Sequence, residues 1–147
     1  WCCLAVLPIM MEQNSGAIVN LGSQAPRGLY RQPCAVGKGG IFALTKVLAM
    51  EYGGYGIRIN TVSPGGTAVP DRITPRLQIR EGVIVDDVIG DEADVWRQEM
   101  GVDIRAQQSL KRSGVPEEQA ATITFLASDD ASYIHGVDFR VDGGALS

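Results

Sequence analysis

The sequence holds a single histidine and three cysteines. With no CxxC pair and no second histidine it lacks the ligand set a zinc site needs, so no metal is expected. An odd number of cysteines (Cys2, Cys3, Cys34) without framework spacing excludes a disulfide scaffold and suits a reducing, cytoplasmic setting. The adjacent Cys2 and Cys3 read as packing residues, since free cysteine is among the most buried residue types. No block of like charge, low-complexity tract or internal repeat occurs, and the net charge of −4 argues against nucleic acid or an anionic membrane as partner. The opening WCCLAVLPIMM has no basic flank and no cleavage site, unlike a signal peptide. It also meets Glu12 too soon to span a bilayer. We read it as the second half of an amphipathic helix whose first half lies upstream.

What is present is an alternation of helix and strand. The 147 residues, 45% hydrophobic and 20% charged, suffice for one soluble domain with a core. Ser15-Gly16 is a turn, and the apolar, partly β-branched run Ala17 to Leu21 reads as a buried parallel strand. Gln24 to Pro33, punctuated by Pro26, Gly28 and Pro33, reads as loop. Ala35 to Tyr52 has helical spacing, with Ile41, Leu44 and Leu48 on shared faces, and Gly53-Gly54 ends it. Ile57 to Val62 is the next strand, stopped by Ser63-Pro64-Gly65-Gly66. Residues 66–108 read as a substrate cap, polar and proline-containing over Thr67 to Asp91 and weakly helical over Glu92 to Gln108. Pro116-Glu117-Glu118 opens a further helix, with proline and acids in the first turn as the macrodipole favours. A last strand, Val137 to Val141, is closed by Asp142-Gly143-Gly144. This order predicts an α/β fold with a parallel sheet. Three parallel strands alone leave an edge and much apolar face uncovered, so further strands are expected from an absent N-terminal half.

Four stretches, IVNLGS (18–23), CAVGK (34–38), INTVSPGG (59–66) and GVDFRVDGG (136–144), together resemble the short-chain dehydrogenase/reductase family across nearly the whole chain. The resemblance implies the C-terminal part of a doubly wound, Rossmann-like sheet, with the glycine-rich nucleotide loop in the absent half. Within that family, SQAPRGLYRQPCAVGKGG (23–40) and PGGTAVPDRITPR (64–76) resemble bacterial cis-diol dehydrogenases that act on dihydroxycyclohexadiene carboxylate in benzoate degradation. The eleven-residue interval from Ser23 to Cys34 fits that group.

The resemblance assigns roles. Ser23, just past a strand end, is expected to hold the substrate oxygen. Lys38 is expected to tune the base and hold the nicotinamide ribose, and Pro64, Gly65, Gly66 and Thr67 to lie against the nicotinamide carboxamide. The cofactor implied is NAD, with NADP left open because the discriminating acid belongs to the absent half. The general base of the family is a tyrosine; here Cys34 stands in its place, on the same helix face as Lys38 by i, i+4 spacing. A free thiol is more acidic than a phenol, so acidity is not the obstacle. Reach is, because a base must come within hydrogen-bond distance of its proton and a thiol ends several ångström short of a phenol oxygen. Impaired catalysis is expected. Tyr30 is a weak substitute.

Arg27 and Arg31, flanking Tyr30, could pair with a substrate carboxylate; a solvated loop is the bland alternative, and Arg72 and Arg76 are weaker candidates. Asn60 and His135 read as structural. The partner expected is a small molecule, and the helices matching Trp1 to Met11 and Ala35 to Tyr52 imply a homo-oligomer, dimer or tetramer. Two other readings stay open: a non-catalytic fragment or subunit of a hetero-oligomer, and a family member acting on another alcohol or ketone.

Overall fold

A computed structural model describes residues 1–27, 32–68, 78–80, 83–85 and 108–145. Helix α1 spans Cys2–Gln13 and strand β1 Gly16–Leu21. Helix α2 spans Gln32–Tyr52, β2 Ile57–Pro64, β3 Gln78–Arg80 and β4 Val83–Val85. Helix α3 spans Pro116–Ala127 and β5 Asp138–Val141. Strands β1, β2 and β5 form a parallel three-stranded sheet in the order β1-β2-β5. Gly16 faces Ile57 at one end of the β1–β2 ladder and Leu21 faces Val62 at the other.

The helices turn the chain by local rules. At the end of α1, Asn14 adopts the left-handed conformation (φ 51°), and the amides of Asn14 and Ser15 close on the carbonyls of Met11 and Met10. Gly56 enters β2 at φ 71°, where a Cβ would lie 2.6 Å from the Asn14 carbonyl oxygen, so only glycine suits this turn. At the start of α3, the Glu118 carboxylate reaches back to the Val115 amide (2.9 Å), satisfying a donor the helix leaves free.

Residues alternate across β2, as the two-residue period of a strand requires. Ile57 and Ile59 join Leu7 of α1 and Leu48 and Ala49 of α2 in one core. Val62 joins Leu126 of α3 and Ala131 in the other. Two-layer coverage of β2 makes it the most buried strand of this sheet, and each fully buried aliphatic side chain there stabilises by about 1.5–3 kcal/mol. A polar thread crosses the first layer: Asn20 donates to Thr45 Oγ1 (2.9 Å), and Thr61 to the same oxygen (2.8 Å). On the second face Arg58 donates to the carbonyls of Leu126, Ala131 and Ser128, closing the end of α3.

The structure differs from the sequence reading in several places. Helix α2 begins at Gln32, three residues early, because proline is well suited to a first helical turn. Strand β2 continues through Ser63 and Pro64, because pairing with β5 reaches Val141 while the β1 ladder ends at Val62, so the missing Pro64 amide, which faces the β1 side, costs no ladder bond. An antiparallel pair, β3–β4, lies within the segment expected to be polar loop; its three-residue strands are too short for a period to show in the sequence. The expected helix over Glu92 to Gln108 lies outside the described residues, apart from Gln108, which is not helical. Pro33–Tyr55 is long and apolar enough to cross a membrane by length and composition, yet it packs on the sheet through Leu48 and Ala49.

Candidate active site at the carboxyl ends of the strands

Because the sheet is parallel, β1 and β2 end on the same side of the molecule, where open α/β sheets bind ligands. The chain after β1 turns sharply at Gly22. Its amide donates to the Val62 carbonyl (2.7 Å), and a Cβ there would lie 2.5 Å from Ser63 Oγ, 2.6 Å from Thr61 and 2.7 Å from the Phe42 ring. This close approach of β1, β2 and α2 places Ser23 at the mouth of the sheet. Ser23 is half-buried, and its Oγ accepts from the Ala25 amide at 3.0 Å. The hydroxyl retains its own proton and a second lone pair.

Lys38 comes from the first third of α2. Its Nζ donates to the Leu21 carbonyl at 2.7 Å. That bond brings the ammonium to the end of β1, two residues before Ser23. An ammonium has three donors, so two remain after Leu21. Cys34 lies one turn earlier on α2 as a free, exposed thiol. Gly37, Gly39 and Gly40 leave open space around that part of the helix, where an added Cβ would touch nothing within 4 Å.

The neighbouring strand supplies the second wall. Pro64 ends β2, and the Gly65 amide donates to Val141 (3.0 Å). A Cβ at Gly65 would lie 2.6 Å from the Asp142 Cα, so this turn is packed flat against the chain after β5. Thr67 is held on three sides. Its hydroxyl donates to the Gly65 carbonyl (3.2 Å) and accepts from Gln119 Nε2 (3.4 Å), while its backbone bridges to Gly114. Gln119 also donates to the Val141 carbonyl (3.0 Å). The reading of the sequence did not single out Gln119; a buried glutamine within the apolar face of α3 was the available signal.

The structure therefore brings Ser23, Lys38 and Pro64–Thr67 to one end of the sheet, with Cys34 a helical turn away. Arg27 is engaged within the fold. Its guanidinium pairs with Asp138 at 2.8 Å and lies 5.1 Å over the Phe42 ring. Tyr30, Arg31, Arg72 and Arg76 lie outside the described residues. Asn60 holds the Ile134 carbonyl and the Val137 amide, a structural arrangement. His135 accepts from the Ile59 amide at Nδ1 (3.2 Å), which leaves Nε2 as donor to the Ala49 carbonyl (2.8 Å). It lines an open depression of about 600 Å³ with Gly16, Ile57, Arg58 and Tyr133. That depression lies at the amino ends of the strands, away from Ser23 and Lys38, and its two basic side chains are already committed to backbone groups.

Comparison with known proteins fits this arrangement. Residues 1–77 match the short chain dehydrogenase family, and residues 78–145 match a family described as enoyl-(acyl carrier protein) reductase. The chain belongs to the short-chain dehydrogenase family. A 1,6-dihydroxycyclohexa-2,4-diene-1-carboxylate dehydrogenase of Acinetobacter baylyi is 42% identical over 144 residues, which are 98% of this chain and 52% of that protein. One of the same description from Pseudomonas putida is 45% identical over 148 residues, 99% of this chain and 51% of that protein. Among solved structures, a 3-oxoacyl-[acyl-carrier protein] reductase with bound NAD from Brucella melitensis superposes with a TM-score of 0.74 at 27% identity, over 99% of this chain and 47% of that one. The chain spans about half the length of the curated relatives it matches.

Proposed function

We propose that this chain carries the substrate side of an NAD-dependent oxidoreductase that oxidises a cis-dihydrodiol carboxylate, the product losing carbon dioxide to become a catechol. The observation that carries the reading is the convergence of Ser23 and Lys38 at the end of β1 with Pro64–Thr67 at the end of β2. The 42% and 45% identity to dehydrogenases of that description supports the substrate class.

The residues present suit a nicotinamide nucleotide. Lys38 has two donors left for ribose hydroxyls, and the flat Pro64-Gly65-Gly66 turn with Thr67 offers a rigid wall for the carboxamide. The nucleotide supplies a hydride acceptor when bound. Ser23 orients the substrate hydroxyl through its free proton. Lys38 holds positive charge where the hydroxyl proton must leave. Cys34 stands at the base position, and its short side chain needs a bridging water to accept that proton. We assign the binding of the adenosine half to sequence outside these residues; the outer edge of β1, which pairs with no strand among the described residues, supports that assignment. The enzyme works in the cytoplasm.

Two observations favour other readings. Neutralisation of the Arg27 charge by Asp138 weakens its pull on a substrate carboxylate, which favours a neutral alcohol or ketone substrate. The exposed Cys34 in the base position, with the open β1 edge, favours a non-catalytic subunit of a larger assembly.

The deciding experiment uses the protein at its natural length. Its intact mass and the tryptic peptide Gln32–Lys38 are measured, NADH is titrated by fluorescence, and diol oxidation is followed for the native protein and Cys34→Tyr. The enzyme reading expects NADH binding and a gain in turnover of about 10²–10⁴-fold on restoring the phenol. No NADH binding, with Cys34→Tyr inert, leaves the non-catalytic reading. Turnover of neutral alcohols in preference to the carboxylated diol overturns the substrate class.

A further inference from the structure

Asp138 opens β5, opposite Thr61 in the β2–β5 ladder. It has no place in the scheme above, yet each of its carboxylate oxygens holds a different element. Oδ1 accepts from Ser63 Oγ at 2.5 Å, and Ser63 is fully buried on β2. Oδ2 pairs with the Arg27 guanidinium at 2.8 Å. Arg27 ends the 3-10 turn Ala25–Arg27, whose last amide closes on the Gln24 carbonyl (2.8 Å). That same turn presents the Ala25 amide to Ser23 Oγ. Phe42 of α2 lies beneath the guanidinium, and its ring also bounds the space at Gly22. A carboxylate with one oxygen on a buried strand hydroxyl and the other on a cation is fixed in direction, and charge-assisted bonds of this kind are the stronger ones.

We propose that Asp138 is a positioning residue for Ser23. It fixes Arg27 against β5 and Phe42, and so holds the turn whose amide orients the Ser23 hydroxyl. Arg27 is thereby part of the scaffold of the site and not a ligand of the substrate. This rests on the reading of Ser23 as the residue that holds the substrate oxygen, but the clamp itself has a readout that does not.

The test compares Asp138→Ala and Asp138→Asn in the natural-length protein. Hydrogen exchange of the Ala25 amide reports directly on the bond to Ser23. Asp138→Ala should speed it about tenfold, the size expected for losing a charge-assisted hydrogen bond. Exchange of the Ile59 amide, bonded to His135 in the core, should stay unchanged. Asp138→Asn retains polar atoms for both partners and should recover most of the protection. Unchanged Ala25 exchange, or equal acceleration at Ile59, overturns the clamp. In the activity assay, Asp138→Ala should lower kcat while leaving the KM for NAD alone, and adding it to Ser23→Ala should cause no further loss. Additive losses overturn action through Ser23. If Ser23→Ala alone leaves turnover intact, the functional reading of Ser23 has failed, and the Ala25 exchange still decides for or against the clamp.

Discussion

Lys38 on α2 donates its ammonium to the carbonyl of Leu21, the last residue of β1, at 2.7 Å. A hydrogen bond this exposed contributes only about 0.5–1.5 kcal/mol, so its consequence is placement rather than stability. Lys38→Ala should lower kcat/KM by about 100-fold or more if the ammonium supports proton removal, with little change in Tm. Lys38→Arg should keep the melting behaviour but recover little activity, because a planar guanidinium cannot reproduce the compact ammonium at the same distance. Steady-state kinetics beside thermal melts check both. A variant that melts early at undiminished turnover would reverse the interpretation.

The glycines near the site divide into two kinds, and substitution should separate them. Gly22→Ala drives a methyl to 2.5 Å from Ser63 Oγ and 2.7 Å from the Phe42 ring. Overpacking of this kind destabilises by about 1–3 kcal/mol or more. Gly40→Ala meets nothing within 4 Å inside α2 and should stabilise by about 0.5–1 kcal/mol through helix propensity. Urea denaturation of the two variants would show midpoints moving in opposite directions.

Stability should also fall in acid through one surface pair. The two nitrogens of Arg112 grip Glu118 at 2.5 and 3.0 Å. That hydrogen bonding, followed by the bond from the Val115 amide, holds the Glu118 carboxyl down from an ordinary 4.5 to about 2. A depressed folded-state value means the contribution is fully present above the unfolded value and disappears as pH falls through the folded one. The expected loss therefore lies between about pH 4.5 and pH 2. Glu118→Gln should flatten that part of a urea-midpoint profile; a profile identical to wild type below pH 4.5 would refute the assignment.

Two helices present apolar residues outward on the α1–α2 layer. Val36 and Met50 of α2 are 80% and 79% exposed, and Leu44, Val47, Leu4 and Ile9 are exposed as well. If these residues form one patch, the homo-oligomer expected from the sequence would cover it. Sedimentation velocity should show a dimer or tetramer, and Met50→Glu with Val47→Glu should shift it to the monomer. A native protein that sediments as a monomer would end this expectation.

The elements of this chain were largely legible because their signals are local. The β-branched run 17–21, the proline and acids at 116–118 and the glycines after Tyr52 each act within one turn of chain. So was the shared helix face of Cys34 and Lys38, which follows from the helical repeat alone. The early start of α2 and the β3–β4 pair were not legible, since a first helical turn and a three-residue strand carry too little periodicity. The relationships that build the site came from the fold. Arg27 and Asp138 stand 111 residues apart, and nothing near either names its partner; only stacking β5 beside β2 brings them together. Gln119 reaches Thr67 across 52 residues for the same reason. The sequence by itself determined the α/β alternation, the parallel sheet and the chemistry available at Ser23, Cys34 and Lys38. The tertiary structure alone decided which charges are engaged, because pairing between distant residues depends on strand order and side-chain direction, and neither is written in local spacing.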